Sequence, residues 1–179
     1  MGASGWDYFV PYQPDIQAAL AALRYQTFES GHYWKRGTKQ ELIDQIRDEL
    51  VRVEHNPDPD YREQARSWLQ HDLKKFQDLA EPHTLDEKIA ELFILNAEDG
   101  TGSILDIGRI SDTPEYGTVV PLSESQLIDW LGTTQPSHEI ILAHREALMD
   151  LRERSIGTYV IVYKDKQPDE IYFCGFSGD

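Results

Sequence analysis

The chain has 179 residues, 40% of them hydrophobic and 11% aromatic, a composition that can bury a core without disulfide or metal staples. Thirty-two acidic residues against seventeen basic ones leave a formal charge of -15. That field repels a phosphate backbone, and no Lys/Arg run exceeds two residues, so nucleic acid is excluded as a direct partner.

The acid surplus is uneven. Residues 38–91 carry fourteen acidic and eight basic side chains and residues 92–179 carry fifteen and six, whereas residues 1–37 carry three of each. The single cysteine, Cys174, rules out an internal disulfide and a CxxC metal motif and fits a reducing compartment. The opening MGASGWDYFVPYQ has neither the basic region nor the apolar stretch of a leader, and Trp6 stands where a myristoylation motif needs Ser or Thr. No apolar run reaches the length of a membrane span. The expectation is a cytoplasmic protein without membrane association.

Residues 6–12, WDYFVPY, predict a short aromatic strand ended by Pro11 and Pro14. Asp15 is placed to cap a helix over 15–30, with Ile16, Ala19, Leu20, Leu23 and Phe28 at helical spacing and Gly31 at its stop. His32, Tyr33 and Trp34 follow as an exposed aromatic loop. Thr38 and Glu41 form a capping box opening a helix whose stripe is Leu42, Ile43, Ile46, Leu50 and Val53. The NPDPD segment from Asn56 to Asp60 ends it and caps a third helix, from Tyr61 to Leu79. Thr84 and Glu87 repeat the box before Leu85, Ile89, Leu92 and Phe93, a fourth helix or a helix-to-strand segment. Residues 38–95 therefore read as a helical insertion laid against a sheet.

Beyond the EDGTGS loop, SILDIGRI at 103–110 reads as a strand with Asp106 and Arg109 embedded in it, and EYGTVVPL at 115–122 as another. Ser123 with Gln126 boxes a short helix that turns Leu127, Ile128 and Leu131 inward and stops at Gly132. Ser137 caps a last helix with Ile140, Ile141, His144, Leu148 and Leu151 on its buried side. The closing stretch TYVIVYKDKQPDEIYFCGFSGD places two apolar runs, 159–163 and 170–176, around a turn containing Pro168 and Asp169, which predicts a β-hairpin. Both alternating faces of the hairpin are apolar, so it belongs at the centre of a sheet covered on both sides. The fold class is α+β: one domain with a small, mainly antiparallel sheet covered by helices, including the C-terminal hairpin and carrying the insertion at about 38–95.

Three blocks, GWDYFVPYQPDIQAALAALR at 5–24, GSILDIGRI with EYGTVVPL within 102–122, and EIYFCGFSGD at 170–179, resemble a set of small uncharacterised bacterial proteins. Those proteins share an aromatic, proline-containing first strand, an Asp-capped helix and an aromatic-Gly-aromatic-Ser-Gly-Asp tail. The resemblance implies a common core and supplies no activity.

The six histidines are scattered and make no HxH or HExxH motif, and the acidic runs lack calcium-loop order, so no metal or other cofactor is expected. No GxSxG, Walker loop or GxGxxG occurs, and Cys174 between aromatics reads as an inert thiol. The most site-like set combines aromatic platforms with arginines and carboxylates: Asp7, Tyr8, Tyr12, Gln13, Arg24, Tyr33, Trp34, Asp106, Arg109, Glu115, Tyr116, Tyr172 and Asp179. Against it stands a plainer account. In that account Trp6, Tyr8, Phe9, Tyr172, Phe173 and Phe176 are core, and Asp106 pairs with Arg109. The SGD tail reads as a structural lock, with Asp179 drawn to Arg24 or Arg109. Two functions follow as expectations. The first is an acidic interaction module, of immunity or anti-effector type, binding a basic protein. The second is a small polar-ligand-binding or enzymatic domain built on Arg24, Asp106, Arg109 and the tyrosines.

Overall fold

The computed structural model describes residues 4–96 and 100–177. Its elements in chain order are β1 (Gly5–Pro11), α1 (Ile16–Ser30), α2 (Lys39–Glu54), α3 (Pro59–Gln77), α4 (Leu85–Leu95), a 3₁₀ turn (Ile104–Asp106), β2 (Arg109–Ile110), β3 (Thr118–Pro121), α5 (Glu124–Leu131), α6 (His138–Ala143), α7 (Arg145–Met149), β4 (Ile156–Lys164) and β5 (Gln167–Phe176). The chain forms two compact units, residues 1–34 with 99–179 and residues 35–98.

The first unit is built on a five-stranded sheet of order β1-β5-β4-β3-β2. Pairing is antiparallel along the long ladders β1–β5 and β5–β4 and parallel where the short strands β3 and β2 join. The fold is α+β, with the hairpin β4–β5 at the middle of the sheet. Strand alternation sends Trp6, Ile171, Phe173 and Val119 to one face, where Ala19, Leu20 and Leu23 of α1 and Ile104 and Ile107 cover them. The opposite face carries Val160, Val162, Tyr172 and Cys174 under Leu131 of α5, Ile141 of α6 and Leu148 of α7. Full burial of a side chain such as Leu20 or Phe173 stabilises by about 1.5–3 kcal/mol.

The indole of Trp6 has a glycine floor. A Cβ on Gly175 would lie 2.7 Å from Trp6 Cζ2 and 3.1 Å from the Gly157 Cα; one on Gly157 would lie 2.8 Å from Trp6 Cη2 and 3.1 Å from the Cys174 carbonyl oxygen. Both approaches are closer than a side chain tolerates, so the two glycines are what let the ring lie across β4 and β5.

In the second unit Leu42, Ile43, Phe76 and Leu95 form the core, flanked by Ile46, Leu73, Leu79 and Ile94. Its helix starts follow the sequence closely. Thr38 and Glu41, and Thr84 and Glu87, exchange both bonds of a capping box, as Ser123 and Gln126 do on α5. Asp58 accepts the Asp60 and Tyr61 N–H groups ahead of α3, and Asp15 accepts that of Ala18 ahead of α1.

Five expectations need correction. The run 103–110 is not one strand: Ser103 caps a 3₁₀ turn, Asp106 points inward, and only Arg109–Ile110 pairs with β3. Asp106 and Arg109 form no ion pair with each other, because Arg109 pairs with Glu115 while Asp106 accepts from Thr101 and Ser177. The hairpin turns at Asp165 and Lys166, with φ of 52° and 63°, while Pro168 and Asp169 lie within β5. Pro168 faces Tyr163 beside a register shift, where a missing N–H is tolerated. The last helix is two: His144, at φ -113° and ψ 12°, breaks it, and its Nδ1 lies 2.8 Å from the Ile140 carbonyl oxygen. Ile128, placed inward by periodicity, is 54% exposed because α5 spans only Glu124–Leu131 and packs chiefly through Leu127 and Leu131.

The glycine floor yields a direct test. Gly175→Ala is expected to lower unfolding free energy by about 1–3 kcal/mol, the usual cost of overpacking. Gly108→Ala, whose Cβ would meet only the Gly117 carbonyl oxygen at 3.8 Å, is expected to stay within about 0.5 kcal/mol of the parent. Urea titrations of the two variants measure both, and equal midpoints would mean that the ring does not rest on Gly175.

Candidate functional site

Because Trp6 is fixed on one face of β1, its neighbour Asp7 must project from the other. Register then places Asp7 beside Cys174, Phe9 beside Tyr172 and Pro11 beside Glu170. A polar row results along the β1–β5 pair on the α6–α7 side. Arg145, at the start of α7, donates to Asp7 Oδ1, and the Tyr172 hydroxyl donates to Asp7 Oδ2 over 3.4 Å. The Phe9 ring lies 4.7 Å from the Tyr172 ring and stacks on His138 at 4.1 Å. His138 Nδ1 sits 2.7 Å from Glu170 Oε2.

The environment sets the chemistry of this row. Burial pushes the Tyr172 phenol well above its ordinary range, with the nearby thiol and Asp7 acting in the same direction. Burial also raises the Cys174 thiol, to about 12, against the lowering effect of its hydrogen bond with Tyr172. A fully buried, protonated thiol is no nucleophile. Asp7 in turn raises the Arg145 guanidinium, first through their hydrogen bond. His138, its ring oriented by a carboxylate and 43% of its side chain exposed, is the member of the row that faces outward.

The other face holds a closed network. Asp106 Oδ1 accepts from the Thr101 backbone N–H at 2.8 Å and from its hydroxyl at 2.7 Å, and Oδ2 accepts from the Ser177 hydroxyl. Ser177 also donates its N–H to the Ser4 carbonyl at 2.9 Å. Asp106 and Ser177 are both buried. This is a lock on the end of β5 made through Ser177, and Asp179 lies outside the described residues.

Of the residues singled out by sequence, only Asp7 and Tyr172 meet in the polar row. Tyr8 faces α1, its phenol pushed up by burial against hydrogen bonds with the Ile104 backbone and Thr27. Tyr12 and Gln13 line a groove of about 280 Å³ with Val10, Pro11, Ala22 and Gln26. Arg24 is half-buried on α1. Tyr33 stacks on Phe28 at 5.6 Å, and the backbone N–H of the exposed Trp34 donates to the Thr101 carbonyl. Arg109 and Glu115 pair at the surface, next to a Tyr116 that is 72% exposed. Sequence reasoning passed over Phe9, His138, Arg145 and Glu170. One signal was available: Asp7 is the lone charge in an aromatic strand and calls for a cation, though nothing local says which.

Among the described residues no group of three His, Cys, Asp or Glu side chains is placed to hold a metal ion, and no helix is long and apolar enough to cross a membrane. No family model matches the chain, and neither does any curated protein or solved structure.

Two outcomes are expected. Asp106→Ala strands three donors inside the protein and is expected to cost about 3 kcal/mol by urea unfolding, against less than about 1 kcal/mol for Arg109→Ala at its exposed ion pair. Cys174 is expected to resist a disulfide-exchange reagent in the folded chain near about pH 8 and to react fully in denaturant. Its raised value means that the stability it carries is complete below the ordinary thiol value of 9.0 and falls away as pH climbs to about 12, which unfolding curves across that window would show.

Proposed function

We propose that the chain is an acidic protein-interaction module of the cytoplasm that binds a basic protein partner, in the manner of an immunity or anti-effector protein covering its target. The observation that carries this reading is the fate of the tryptophans. Of the four, only Trp6 is buried, while Trp34, Trp68 and Trp130 are 47%, 65% and 45% exposed on a chain of charge -15. Tryptophan has a large apolar area, and keeping about half or more of three such residues exposed forgoes burial that the fold could have used. Exposed Trp and Tyr are what interfaces use as anchors, and a strong negative field steers and accelerates encounter with a positive surface.

The polar row supports a second reading, a site for a small polar ligand. Its favouring observation is the carboxylate-oriented His138 stacked on Phe9 beside the Asp7–Arg145 pair. It is the weaker reading because Asp7, Arg145, Glu170 and His138 already satisfy one another, which leaves few groups turned outward for a ligand.

Immobilised chain in about 50 mM salt is expected to retain a partner that is itself strongly basic and to release it by about 500 mM salt, as a shortened screening length requires. Retention that ignores salt, or retention of acidic proteins alone, would count against the reading. A saturable shift of the His138 and Tyr172 ring signals by a small polar molecule, with no basic partner retained, would favour the ligand site instead.

A further inference from the structure

We propose that the exposed face of α3 around Trp68 is the docking point for that basic partner, and that it takes an arginine-bearing segment laid across the indole. This rests on the interaction reading and assigns it a place. Tyr61 and Trp68 are 50% and 65% exposed and stand seven residues apart, two helical turns on one face. Neither belongs to the core of the second unit, which uses Phe76 and Ala65 from this helix. Beside the ring lies an open hollow of about 340 Å³ lined by Asp60, Glu63, Gln64, Ser67 and Trp68.

The charges around the hollow are unbalanced in a specific way. The nearby arginines of α3 are already engaged: Arg62 donates to the Asn56 carbonyl at 2.6 Å, and Arg66 makes two bonds to Glu54, at 2.9 and 2.8 Å. Among the described residues no cation pairs with Asp60 or Glu63. Asp60 sits in the first turn, where the helix dipole favours a carboxylate, but Glu63 lies a turn further on and has no such support.

An arginine-bearing segment suits this lining: a guanidinium stacks on an indole face and donates in parallel to a carboxylate, and Gln64 and Ser67 offer further acceptors to the same segment. Other occupants fit poorly. A phosphate would meet two carboxylates, and an apolar segment would desolvate them without compensation. A second copy of this chain, docked through the same face, would bring Asp60 and Glu63 against their own counterparts and set two charges of -15 side by side. Lysine satisfies the charge but lacks the planar stacking, so arginine is preferred.

The test uses the full chain and a synthetic arginine–glycine repeat peptide, with lysine–glycine and glutamate–glycine peptides as comparisons. The Trp68 indole N–H signal, assigned through Trp68→Phe, is expected to shift saturably with the arginine peptide, less with the lysine peptide and not with the glutamate peptide, while those of Trp34 and Trp130 stay in place. Trp68→Ala is expected to weaken arginine-peptide binding by a factor of about ten, and the double change Asp60→Asn with Glu63→Gln by a factor of several, with helix content unchanged by circular dichroism. Equal binding by Trp68→Ala, or a shift centred on Trp34 or Trp130, would overturn this docking point while leaving the interaction reading standing. No saturable binding of the arginine peptide in about 50 mM salt would overturn both.

Discussion

The seat of Trp6 on Gly157 and Gly175 is the constraint from which the sheet and the polar row both follow. The ring crosses from β1 over β5 to β4, so one residue ties three strands into one register. Side-chain alternation has a period of two, and a slip by one residue would exchange the faces. Such a slip would turn Asp7 into the apolar layer under α1 and turn Trp6 towards Arg145. Neither is tolerable: an unpaired carboxylate in that layer costs several kcal/mol, and the indole would lose its floor. The polar row is thus a consequence of where an apolar ring fits.

Capping was the most legible feature of the sequence because it is local. Thr38, Thr84 and Ser123, each followed three residues later by Glu or Gln, and Asp15 with Gly31, state helix ends within one turn of chain, and the structure keeps each of them. The hairpin was equally plain as a pair of apolar runs, but its turn was not. Asp165 and Lys166 take the left-handed conformation that Gly or Asn usually fills, while Pro168, the stronger turn former by residue type, sits in the strand at a bulge. SILDIGRI misled for another reason. Its apolar run is that of a strand, yet Asp106 is drawn inward by Ser177, seventy-one positions away, and the backbone winds into a 3₁₀ turn to meet it. The site shows the same limit. Asp7 and Tyr172 could be nominated as polar groups within aromatic strands, but Arg145 reaches Asp7 across 138 positions and His138 reaches Glu170 across 32, pairings that exist only once the sheet is assembled.

Two kinds of polar contact in this molecule differ in weight. The pairs Arg47–Asp44, Arg52–Glu49 and Lys74–Asp78 run along helix surfaces at more than 40% exposure, where solvent leaves each with a few tenths of a kcal/mol. The Asp106 network is small but sealed, so each of its bonds is set against an unsatisfied buried group rather than against water. That asymmetry assigns Asp106 to architecture: a carboxylate whose oxygens already accept from Thr101 and Ser177 has little left to offer a ligand.

The same accounting separates the parts of the surface. In the sheet-bearing unit the carboxylates of the polar row and of the sheet ends are paired within the fold, Asp7 with Arg145, Glu170 with His138, Glu115 with Arg109 and Asp106 with Thr101 and Ser177. In the helical unit the arginines of α3 are consumed but Asp60 and Glu63 are not, and the most exposed tryptophan of the chain lies beside them. Net charge alone says little, since many proteins are acidic for solubility, and an exposed ring alone is ordinary. Their coincidence on one face of α3 is more demanding, because a planar cation docked there gains an aromatic face and a carboxylate together.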